Sequence, residues 1–119
     1  MAKEELKNIV IPEIPADEKI LKEGAAAVKM LYYKPWLIYQ YKFAITEKGI
    51  WMRCPKVMLA KQKTSFTAFS NIAYYDLNEY DGHTWVILFL KEGDTLYRTY
   101  FDDMDGAVKV ISEFLPRKS

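Results

Sequence analysis

A small chain can do chemistry only through its nucleophiles and its titratable clusters. Cys54 is the only cysteine here and His83 the only histidine. A thiolate attacks when a nearby base or positive site lowers its pKa, so Cys54–His83 is the one nucleophilic pair these residue types permit. The local sequence speaks against it. Cys54 follows Arg53 at the end of an apolar run and reads as a small buried residue, while His83 stands in the solvated loop "YDGHTW". Asp102, Asp103 and Asp105 cluster, with Asp94 a hairpin away, and several carboxylates can hold a hard cation. Their spacing lacks the D-x-D-x-D-G calcium pattern, and "DDMDG" opens a helix, where acids cap the first turn and complement the dipole. No phosphate-binding glycine loop, zinc-ligand pair, Ser-His-Asp set or paired catalytic acid is found. The expectation is a non-enzyme with no metal and no cofactor.

Binding is better represented. In "RCPKVMLAKQK" Arg53, Lys56, Lys61 and Lys63 flank Val57, Met58 and Leu59. Basic residues around an exposed apolar tip suit weak contact with an anionic membrane, each charge adding ~1 kcal/mol near the surface and Met58 burying apolar area. The same stretch also reads as a strand with Val57 and Leu59 inward. Trp51, Tyr74 and Trp85, joined by Tyr75 and Tyr80, would line an aromatic groove for a small molecule, or else belong to the core.

The 119 residues fit one domain, and half of them are apolar, enough for an independent core. A formal net charge of +1 gives no global field toward nucleic acid. A lone cysteine excludes an intramolecular disulfide and suits a reducing compartment. "MAKEELKNIVIPEIP" lacks a signal-peptide apolar core, and no run nears the ~18 apolar residues of a membrane span. A cytoplasmic location is expected.

Residues 1–23 read as an N-terminal extension, with two prolines in "IPEIP" and a short helix in "ADEKILKEG" stopped by Gly24 and pinned by Ile20 and Leu21. Residues 24–119 read as the domain. A first strand is expected over about Ala26–Tyr33. "LIYQYKFAITEKGIWMR" is the clearest hairpin: Tyr39, Tyr41, Phe43 and Ile45 share one face, and Gly49 suits a φ > 0 turn position. "TSFTAFSNIAYYDL" gives a strand or two short ones, anchored by Phe66, Phe69, Ile72 and Tyr74. "NEYDGH" is a loop, "TWVILFL" a buried strand, "KEGD" a turn and "TLYRTYF" the return strand. "DDMDGAVKVISEFLPR" is an amphipathic helix with Met104, Val108, Ile111 and Leu115 in one stripe, widened by Ala107 and Phe114. The fold class is therefore mainly β: a strongly bent antiparallel sheet, or partly open barrel, of six to seven strands capped by one C-terminal α-helix.

That order resembles the pleckstrin-homology-like (PH-like) superfold, in particular small bacterial PH-like and GRAM-like domains. "YKFAITEKGIWMR" is similar to the family's second hairpin, "FTAFSNIAYYDL" to its following segment, "VILFLKEGDTLYRTYF" to the last hairpin and "DDMDGAVKVISEFL" to the closing helix. The resemblance covers about Gly24 to Leu115 and carries fold more than function. Lipid-binding members place several basic residues around the first hairpin loop; "YYKPW" offers Lys34 alone. The resemblance thus implies a non-catalytic module that binds a protein or peptide, or itself as a homo-oligomer, through a sheet edge or the helix–sheet groove.

Overall fold

The computed structural model describes residues 3–30, 38–55, 62–93 and 97–119. A short helix α1 (Lys3–Lys7) precedes β1 (Ile20–Met30), β2 (Tyr41–Thr46), β3 (Gly49–Cys54) and β4 (Lys63–Ala68). A 3-10 turn (Phe69–Asn71) leads into β5 (Ile72–Tyr80), β6 (His83–Leu90) and β7 (Tyr97–Phe101), and α2 (Met104–Ser112) follows. All seven strands join one antiparallel sheet in the order β4-β3-β2-β1-β7-β6-β5. The sheet curls into a half-barrel with α2 against its concave face, an arrangement compatible with a PH-like fold.

The curl is organised by β1. Its first part pairs with β2 from Ile20 to Ala26, and its second part pairs with β7 from Ala26 to Met30. Ala26 faces Tyr41 on one side and Phe101 on the other. The small side chains of Ala25, Ala26 and Ala27 are fully buried at this crossing. Ala26, the one of the three on the concave face, leaves room for Phe43 and Phe101 to meet edge-to-face, with ring centroids 4.7 Å apart. Ile45, Ile50, Ile72, Val86, Ala107, Ile111 and Leu115 complete the core around them. Each fully buried large apolar side chain contributes roughly 1.5–3 kcal/mol. Asp103 caps α2 by accepting from the Gly106 amide at 3.1 Å, and Phe114 stacks on Phe69 at 4.7 Å.

Several local readings change. The stretch "ADEKILKEG" does not form a helix: Ile20 onward is already β1, because pairing with β2 outweighs a weak helical propensity. Ile20 is 41% exposed and does not pin the segment. The first strand thus starts earlier than Ala26, and 31–33 lie outside the described residues. "NEYDGH" is a two-residue turn with φ of 52° at Asp81 and 79° at Gly82, the left-handed pair favoured in tight hairpins. Gly49 does not have positive φ. A Cβ there would collide with the Thr67 carbonyl oxygen and come within 2.8 Å of the Phe66 ring, so β4 lies too close for any side chain. Phe66 itself is 41% exposed and no core anchor.

Gly49→Ala is therefore expected to destabilise the protein by about 1–3 kcal/mol through overpacking, measured by urea unfolding. A wild-type midpoint in the variant would show that β4 can yield.

Candidate functional site

Alternation divides the sheet into two faces. The concave face carries the core. The convex face carries Lys42, Ala44 and Thr46 on β2, Trp51 and Arg53 on β3, Thr64 and Phe66 on β4, Arg98 and Tyr100 on β7, and Trp85 on β6, as pairing and core membership require. Much of it is also buried: Lys42, Ala44 and Thr46 are at most 3% exposed. The N-terminal segment covers it. Leu6 is fully buried and Ile11 nearly so. Lys42 Nζ donates to the Lys7 carbonyl and, at 2.7 Å, to Glu23. The Glu18 carboxylate accepts from the Thr46 hydroxyl and, at 3.0 Å, from the Trp51 indole N–H. Leu6 and Ile11 were the sequence signal for this cover, masked by the prolines between them and β1.

Lys7 also approaches the Asp102 carboxylate at 3.3 Å, and this contact raises the Lys7 pKa. Asp102 is buried against Gly24, where a Cβ would strike its carboxylate. Asp103 takes Lys22 at 2.6 Å; that hydrogen bond, then the Gly106 amide, holds its carboxyl below its ordinary value. Asp102 and Asp103 are thus engaged by lysines, and among the described residues no group of three metal-ligating side chains occurs. Asp94 lies outside the described residues. Cys54 ends β3 while His83 begins β6, with β2, β1 and β7 between them, so they form no pair.

The aromatic residues do not share one groove. Trp51 packs on Phe66 at 4.4 Å, Tyr74 on Phe89 at 4.8 Å, and Trp85 on Tyr100 at 5.7 Å. Trp85 is fully buried and donates to the Tyr80 carbonyl at 3.3 Å. A shallow concavity of about 240 Å³ lies at the β5–β6 turn, lined by Glu79, Tyr80, Asp81, Gly82, His83 and Thr84. Its lining is largely polar, unlike an apolar ligand pocket. Of the basic segment, Lys56, Met58 and Lys61 lie outside the described residues. Arg53 is engaged by Thr64 at 2.7 Å, Gln62 at 2.8 Å and Glu13 at 3.3 Å. Lys63 is exposed.

The two edges of the sheet differ. Along β5 the chain's own C-terminal residues add a short parallel bridge, Tyr75 to Arg117. The Tyr75 amide donates to the Pro116 carbonyl at 3.1 Å, and the Lys118 amide donates to the Tyr75 carbonyl at 2.8 Å. Asp76 holds Arg117 at 3.2 Å, and Lys118 lies 4.9 Å over the Phe89 ring. Along β4 no described residue adds a strand. The register shows which β4 groups point outward. The Phe69 amide donates to the Lys48 carbonyl, so 69–48 is a hydrogen-bonded pair. Pairs alternate along an antiparallel ladder, which makes Thr67–Ile50 and Ser65–Met52 hydrogen-bonded and leaves Ala68–Gly49, Phe66–Trp51 and Thr64–Arg53 as the others. The N–H and C=O groups of Thr64, Phe66 and Ala68 therefore face away from β3. The close Trp51–Phe66 ring contact fits this assignment, because side chains approach most closely in such pairs.

Glu18→Ala leaves the buried Thr46 hydroxyl and the Trp51 indole without an acceptor, so it is expected to cost about 1–3 kcal/mol and to shift Trp51 emission; unchanged unfolding and emission would mean the strap does not hold there. The Asp76 carboxyl lies below its ordinary value, first through the Leu77 amide and then through Arg117. A depressed carboxyl contributes stability above the ordinary value of about 4 and loses it as pH falls through the folded value. Hydrogen exchange of the Lys118 amide should therefore quicken below about pH 4, relative to core amides, and should already be fast at neutral pH in Asp76→Asn. Equal protection in the variant would show that the tail is held without the Asp76 charge.

Comparison of the chain with protein-family models, with curated proteins and with solved structures returns no match to any of the three.

Proposed function

We propose that this chain is a non-catalytic interaction module of PH-like architecture that receives an extended segment, from a partner protein or from a second copy, along β4. One observation carries the reading: the edge strand β4 turns the backbone groups of Thr64, Phe66 and Ala68 outward and keeps Phe66 41% exposed, with its ring on Trp51. An added strand gains affinity from main-chain hydrogen bonds and selectivity from alternate side chains, here the Phe66–Trp51 platform. The resemblance to PH-like domains agrees with such a role. Among the basic residues weighed for membrane contact, Arg53 is already engaged by Glu13, which favours the edge over the membrane.

Ala68 supplies a clean test. Its φ of −69° suits proline, and its amide points outward, so Ala68→Pro removes an edge donor and leaves the β3–β4 ladder in place. Heptapeptides selected from a displayed random library on the wild-type protein are expected to lose about tenfold or more in affinity, at least about 1.4 kcal/mol, for Ala68→Pro and for Phe66→Ala. Selected peptides that bind all three proteins equally, or a library that yields none, would sink the reading.

A further inference from the structure

We infer that β4 also pairs with β4 of a second copy, antiparallel, about a two-fold axis that passes beside Phe66. This rests on the proposed role of the β4 edge and names one occupant for it. The first argument is the difference between the edges. The β5 edge already holds the chain's own residues 116–118 through the Tyr75 amide and carbonyl. A head-to-tail array, β4 of one copy on β5 of the next, would have to displace them. The remaining arrangement is isologous: the same edge on both copies, which closes as a dimer.

The second argument is register. With Phe66 at the axis, Phe66 faces Phe66 of the other copy, and Thr64 faces Ala68. These are the residues whose N–H and C=O groups point outward, so three hydrogen-bonded pairs form, with about six bonds at two per pair. On the convex face the two Phe66 rings become neighbours, each backed by its own Trp51 at 4.4 Å. Aromatic cross-strand pairs are among the more stabilising contacts in a sheet.

The third argument is charge. Lys63 is the one charged residue of β4. In this register the two Lys63 residues lie at opposite ends of the paired strands, about 20 Å apart at ~3.4 Å per residue. That exceeds the Debye length of ~8 Å at physiological salt. Each Lys63 instead meets the other copy's position 69, beside the β2–β3 turn, where Glu47 and Lys48 present both signs. The protein's net charge of +1 adds no general repulsion between copies. Edge strands that avoid self-pairing place a lysine in mid-strand; here the middle is Thr64-Ser65-Phe66-Thr67.

Two measurements on the full chain test this. Sedimentation equilibrium from about 10 µM to about 1 mM should show a monomer–dimer equilibrium in the wild type. Ala68→Pro and Phe66→Glu should each weaken it about tenfold or more, with unchanged circular dichroism. In a Cys54→Ser background, Phe66→Cys should form an intermolecular disulfide under mild oxidation, because paired Cα atoms lie about 5.5 Å apart. Lys63→Cys in the same background should not. A wild type that stays monomeric throughout, a dimer indifferent to both edge variants, or equal cross-linking of the two cysteine variants would each overturn the inference. If a strict monomer still selects peptides that Ala68→Pro rejects, self-pairing alone fails and the β4 binding role stands. If no edge-dependent peptide emerges either, both fail.

Discussion

The carboxylate of Asp102 rests on the backbone of Gly24, and three fully buried alanines follow. The rest of the domain depends on this narrow stretch of β1. One strand must serve two half-sheets, giving its first residues to β2 and its last to β7. The turn between them can be this tight only where side chains are small. A larger residue at 24 would push Asp102 away and, with it, the start of α2 and the Lys7 contact that anchors the N-terminal segment. The concave side gains as well, since Phe43 and Phe101 meet across Ala26 and the helix closes over them.

The convex face shows how a sheet with polar and small outward residues becomes a second buried layer. Leu6 and Ile11 provide its apolar seal, while Lys42, Thr46 and Trp51 find partners in Lys7, Glu23 and Glu18. A buried lysine is tolerable only when its ammonium is paired and hydrogen-bonded, and Lys42 has both a carboxylate and a carbonyl. The cover matches the polar groups of β2 and β3, and Glu13 reaches the Thr64 side chain on β4, while Phe66 stays 41% exposed.

Among the described residues the two sheet edges differ: β5 is paired by the chain's own residues and β4 is not. The C-terminal residues complete β5 with backbone bonds, an ion pair and a cation–π contact. β4 keeps its outward amides and an exposed phenylalanine. Exposed edge strands are normally blunted by charge, proline or a bulge, and the described part of β4 has only Lys63 at its first position. This difference between the edges, among the described residues, is the physical ground of the proposed role for β4.

Local sequence determined much of the scaffold. Alternation in Tyr41–Ile45 set which side of β2 is core, the apolar run Trp85–Leu90 set a strand, of which Trp85 and Val86 are buried and the rest half-buried, and the stripe through Met104, Val108 and Ile111 set the closing helix. These signals are legible because each element's own period matches its burial. Tertiary structure alone decided the rest. Ile20–Met30 became a strand because two partners, distant in sequence, pair with it. Gly49 is required by the approach of Thr67, not by its own φ. Phe66, an apparent core anchor, lies outside because the β3–β4 register turns it toward Trp51. Strand order separates Trp51 from Tyr74 and Trp85, and the β5–β6 register, with Tyr74 opposite Phe89 and Trp85 opposite Asn78, separates those two; no local pattern encodes either. Pairing and closure are non-local contacts, and it is these that select the face each residue presents and which strands stand at the ends of the sheet.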